Sequence, residues 1–209
     1  MIFIGQRSQI YIRLKDRNNN KYLFAKYYDW NYGERMISRA RYGIDYIKRN
    51  LDYSIDDELV EQINRMFDVN FDMKDVQLSD NIITWLENEY LTNQKDINEF
   101  IFFEPENNDG KLFVDCDQNS KKIKYCFTDG GNIPLSAQEY MKWNIGFGWD
   151  KKDFSDDPDW NKISATCKKN IKAIKNDAEL MSDIELKQFI NDDYTKYINE
   201  VFVENNIKI

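Results

Sequence analysis

A chain of 209 residues holds one domain with a core of its own, and 42% hydrophobic residues with only 8 Gly and 3 Pro exclude low-complexity disorder and collagen-like fibre. A formal charge of −8 argues against a protein coated in nucleic acid. The absence of His removes Ser–His and Cys–His nucleophile pairs, imidazole metal ligands and the commonest general base.

In chain order, Ile2, Ile4, Ile10, Ile12 and Leu14 alternate with other residues, and Tyr22–Tyr28 follows the turn-like Asp16–Asn20, which predicts a β-hairpin. After Asp29–Gly33 breaks the pattern, residues 34–50 read as a helix with Met36, Ile37, Ala40, Ile44 and Ile47 on one face. Roughly opposite lies a stripe of Arg35, Arg39, Tyr42, Tyr46 and Arg49, suited to gripping phosphate or carboxylate while its rings stack on bases. The bland reading is a solvated face whose arginines pair with acids of the next segment. Residues 1–50 carry eleven Lys and Arg against four acids, a balance of +7, and hold every Arg except Arg65.

Residues 51–100 reverse the sign, with three cations against thirteen acids, a balance of −10. Ser54-Ile-Asp-Asp57 is a capping-box pattern opening a helix over 56–67, and 81–91 is a further amphipathic helix. The row Asp56, Asp57, Glu58, Glu61, Asp68, Asp72, Asp75 and Asp80 has two readings. Carboxylates at helix starts offset the helix dipole. Alternatively, a row of them imitates a nucleic-acid backbone and fills a basic groove.

Residues 98–103, 111–117 and 121–128 read as strands joined by turns at 107–110 and 118–120, a three-strand meander. Asp115 and Asp117 share a face, with Glu104 one strand earlier, the hard oxygen ligands of a metal-dependent enzyme or ordinary turn and edge residues. Cys116 and Cys126 either face each other across the hairpin or are buried thiols. Ser136-Ala-Gln-Glu139 and Ser182-Asp-Ile-Glu185 open two more helices as capping boxes. Between them, Trp143, Phe147, Trp149, Phe154 and Trp160 form either a binding platform or a buried cluster beneath the polar loop 149–160. Helices are expected at 162–174 and 186–203.

Runs of strands followed by runs of helices predict an α+β fold: an antiparallel sheet, made of the N-terminal hairpin and the central meander, packed with five to six helices. One domain spans 1–209, with a basic hairpin-helix at 1–50, an acidic helical part at 51–100 and the meander plus C-terminal helices at 101–209. There is no GxxxxGK[ST], GxGxxG or GxSxG loop and no CxxC, so no cofactor and no zinc site is expected. The opening turns polar after four residues and no stretch reaches the ~20 apolar residues of a membrane span, so a soluble protein of the bacterial cytoplasm is expected.

Gly5-Gln-Arg-Ser-Gln-Ile10 and Trp30-Asn-Tyr-Gly-Glu-Arg-Met-Ile-Ser-Arg-Ala-Arg41 resemble the opening of uncharacterised proteins carried by phages and mobile elements of low-GC bacteria. In size, acidity and lack of catalytic motifs the chain is similar to anti-CRISPR proteins, a class without a common fold or motif. That likeness implies a non-enzymatic inhibitor that binds a CRISPR effector nuclease or its guide complex, and it assigns no residue. The alternatives are a nucleic-acid-binding module using Arg35, Arg39, Tyr42, Tyr46 and Arg49, for RNA or DNA, and a carboxylate metal enzyme.

Overall fold

The computed structural model describes residues 7–29, 32–56, 58–59, 62–63, 109–129, 131, 133–151 and 159–192. The expected hairpin is present: β1 (Arg7–Lys15) pairs antiparallel with β2 (Lys21–Asp29). Its turn is closed by Asp16, whose carboxylate accepts from the amides of Asn18 and Asn20, while Asn19 takes the left-handed φ of 65° that Asn tolerates. Next comes α1 (Gly33–Asn50), then β3 (Lys111–Asp117), β4 (Lys122–Thr128), α2 (Ala137–Asn144), α3 (Trp160–Asp177), the two-residue β5 (Glu179–Leu180) and α4 (Asp183–Ile190).

The fold is α+β, but the sheet is mixed rather than antiparallel. Its order is β2-β1-β3-β4-β5, with β1 parallel to β3 and β4 parallel to β5. The parallel pairs follow from connectivity: long chain segments containing helices separate β1 from β3 and β4 from β5, so the chain can return to the same end of the sheet before pairing. Four helices are described, against the five to six expected. Of the expected elements, the helix over 81–91 and the strand over 98–103 lie outside the described residues, and the helix over 56–67 is described only at 58–59 and 62–63. Asp56 accepts from the Leu59 amide, which puts that helix's cap two residues beyond Ser54.

Both faces of the sheet are covered. Ile10, Ile12, Leu14, Leu112, Val114, Cys116, Ile123, Tyr125 and Phe127 bury against α1, α2 and α3. The opposite face offers Tyr11, Leu23, Phe113 and Cys126 to Met181 and to Leu186 and Phe189 of α4. Two covered faces explain why β3, Lys-Leu-Phe-Val-Asp-Cys-Asp, does not alternate cleanly between apolar and polar residues. Each such side chain contributes about 1.5–3 kcal/mol on full burial. Cys116 faces α1 while Cys126 faces α4, so the two thiols lie on opposite sides of the sheet, and all three cysteines are free and buried.

Candidate functional site

Of the acidic row, the structure describes Asp56 and Glu58; Asp57, Glu61, Asp68, Asp72, Asp75 and Asp80 lie outside the described residues. Both described carboxylates are exposed, Asp56 capping the Leu59 amide and Glu58 accepting from Gln62 Nε2 at 3.1 Å. Neither meets a cation among the described residues. Asp52, just ahead of them, is different: the Lys121 ammonium bonds to it, and that hydrogen bond and charge hold its carboxyl below the usual range.

The stripe on α1 is divided by the fold. Arg35 is half-buried with its guanidinium 5.4 Å from the Tyr32 ring centre, and Arg39 is buried at 4% exposure. Tyr42 is half-buried under the Arg41 guanidinium. Tyr46 donates to Gln62 Oε1, and burial, more than any charge, raises its phenol. Arg49 is exposed but bridges to Asp45, one turn earlier on the same helix, which Arg41 also approaches at 3.5 Å. The five residues therefore do not share one open face.

The carboxylates weighed for metal are committed to cations. Arg13 grips Asp115 with two bonds, Nε at 2.8 Å and Nη2 at 2.6 Å, reaches Asp192 with Nη1 at 2.7 Å and lies 4.5 Å over the Phe189 ring. Lys21 joins the same Asp192 at 2.7 Å, and Lys124 pairs with Glu185. This chain of ion pairs clamps both ends of α4 onto the sheet. Asp117 caps the β3–β4 turn by accepting from the Asn119 amide, with Lys15 at 3.9 Å. Glu104 lies outside the described residues, and among those described no three acids or thiols converge as a metal site would require.

A buried polar cluster at the start of α1 escapes a reading of the sequence. Glu34 is fully buried, Asp109 nearly so. The Tyr140 hydroxyl donates to the Asp109 carbonyl at 2.8 Å, and Asn144 Nδ2 donates to Asp109 Oδ1 at 3.1 Å. Burial first, then the charges of Asp109 and Glu34, push the Tyr140 phenol well up, so it is held as a neutral donor. Burial and Glu34 do the same to Cys167, which removes it as a thiolate nucleophile. A carboxylate in the first turn gains from the helix dipole. The sequence does hold one sign of this: on a helical wheel Glu34 falls only about 60° from Ile37, at the border of the apolar arc.

The aromatic cluster separates into two parts. Trp149 and Trp160 are buried, with Trp160 Nε1 donating to the Trp149 carbonyl at 2.8 Å, whereas Trp143 and Phe147 stand exposed at 40% and 87%. Phe154 lies outside the described residues. No described helix is long and apolar enough to cross a membrane. Neither a family model, a curated protein nor a solved structure matches the chain.

Proposed function

We propose that the protein is a phage-encoded binding inhibitor of the anti-CRISPR kind, which docks its acidic surface into the basic groove of a nucleic-acid-handling effector such as a CRISPR nuclease. The observation that carries this reading is the contrast among charges. Arg13, Lys21, Lys48, Arg49 and Lys121 each meet an acid within the protein, while Asp56 and Glu58, the first exposed pair of the −10 segment, meet no cation among the described residues. Carboxylates held off the protein's own cations remain available to a Lys/Arg-lined partner, and such contacts give fast, salt-sensitive association.

The alternative, nucleic-acid binding by α1, has less support because Arg39 is buried and Arg49 is engaged by Asp45. The metal-enzyme alternative is weakened by the bidentate grip of Arg13 on Asp115. Size-exclusion chromatography with purified guide-loaded CRISPR nucleases tests the leading reading. Co-elution is expected at ~50 mM salt and its loss at ~500 mM, where charges more than a few ångström apart are screened. Separate elution from every nuclease at low salt overturns it.

A further inference from the structure

Among the described residues, a run of exposed cations without acidic partners lies not on the Arg-rich N-terminal segment but on α3. At 100° per residue, Lys162, Lys168, Lys169, Lys172 and Lys175 fall within an arc of about 140°, opposite the buried Ile163, Cys167, Asn170 and Ile174. All five lysines are exposed. Lys168 donates to the Asp150 carbonyl at 2.8 Å, and the other four form no ion pair and no side-chain hydrogen bond among the described residues. Asp177, at the far end of the helix, is taken by Lys48 of α1 at 2.6 Å. In a chain of net charge −8, this is a coherent positive ridge whose fourteen residues, Lys162 to Lys175, extend about 20 Å.

We propose that α3 is a docking ridge for the phosphodiester backbone of a nucleic-acid duplex, contacted without regard to sequence. Two features of the ridge select that occupant. It uses Lys alone, a hydrated point charge that neutralises phosphate but lacks the flat fork with which Arg reads guanine. On the helical wheel the exposed residues beside the lysines are Asn161, Ala165 and Asn176, so α3 itself presents no aromatic ring there on which the bases of a single strand would stack. A contact of this kind holds a duplex in place and supplies no sequence discrimination. Duplex contact by α3 requires no effector, so it and effector docking fail independently.

Fluorescence anisotropy with a labelled ~20-base-pair duplex of arbitrary sequence, titrated from ~50 to ~200 mM salt, tests the ridge. Four lysines on phosphates give a log–log slope near −3.6, a weakening of about 150-fold over that range. Lys169→Gln with Lys172→Gln halves the slope, so the weakening falls to about 12-fold. Gln keeps the helix propensity of Lys, and an unchanged circular dichroism spectrum shows that the variant folds. Lys187→Gln, on α4, is expected to behave as the unmodified protein does. Three results overturn the proposal: no anisotropy change at ~50 mM salt, an undiminished slope in the double variant, or displacement of the labelled duplex by polyglutamate as efficiently as by unlabelled duplex.

Discussion

Arg13 joins three parts of the molecule, since its guanidinium binds Asp115 on β3 and Asp192 beyond α4 while its flat face covers Phe189. Its side chain is only 12% exposed, against 29% for Asp115 and 18% for Asp192. Arg13→Met would leave two partly buried carboxylates without this cation. The expected cost in urea unfolding is about 2–3 kcal/mol, below the ~3–5 of a fully buried pair because water still reaches the acids. A loss under ~0.5 kcal/mol would place Arg13 among ordinary surface charges. Gly110 is constrained by geometry instead. Its φ is +85°, and a Cβ there would lie 2.3 Å from the Thr128 carbonyl oxygen, which belongs to the β4 backbone and cannot swing aside. Gly110→Ala is expected to lower stability by about 2 kcal/mol or more, measured in the same way. These two residues differ in how far the sequence reveals them. Asn-Asp-Gly announces a turn at Gly110, whereas nothing local to Arg13 points to an acid 102 positions away.

Elements defined by their own residues were legible, and those defined by long-range pairing were not. Ser136 with Glu139 and Ser182 with Glu185 form complete capping boxes at the starts of α2 and α4, and the apolar face expected for α1 is the face it buries. Replacing either Ser by Ala should cost about 1 kcal/mol in thermal or urea unfolding. By contrast, alternation along Ile10–Leu14 and Leu112–Cys116 shows that each is a strand but not that the two run parallel, because the period is the same in either direction. The clamp on α4 is pH-dependent with a definite sign. The Lys124 ammonium, followed by the Ser182 amide, holds the Glu185 carboxyl at about 2 instead of its usual 4.5. A depressed carboxyl contributes stability that is fully present above the ordinary value and is lost as pH falls from about 4.5 towards about 2. Lys124 is raised in turn, chiefly by the same hydrogen bond, so its share is lost only in alkali above 10.5. Hydrogen exchange should therefore show the amides of α4 opening as the solution is acidified from pH ~5 to ~2.5, with Lys124→Met flattening that dependence. Equal acid response in the variant and the unmodified protein would contradict the clamp.

Across the whole molecule, the net charge conceals two populations. Four cations of the N-terminal fifty residues, Arg13, Lys21, Lys48 and Arg49, are paired within the structure, where Asp115, Asp192, Asp177 and Asp45 receive them. The sequence showed the basic and acidic segments but not this partition, because pairing depends on which strands become neighbours. For the same reason it drew attention to the arginines of α1 and away from the lysines of α3, which number one more on a helix of equal length and are all turned outward. Among the exposed charges that meet no opposite charge within the described residues are the lysines of α3 and, on a separate element, the carboxylates of Asp56 and Glu58 that lead into the acidic segment. The central claim, that this acidic surface occupies an effector's basic groove, is met most directly by a DNA-cleavage assay with guide-loaded CRISPR nuclease and the protein in molar excess. The account predicts inhibition at low salt that weakens as salt is raised and is relieved by Asp56→Lys with Glu58→Lys, since like charges now face the groove. Cleavage that proceeds unchanged at every excess, for every nuclease with which the protein is mixed, would contradict it.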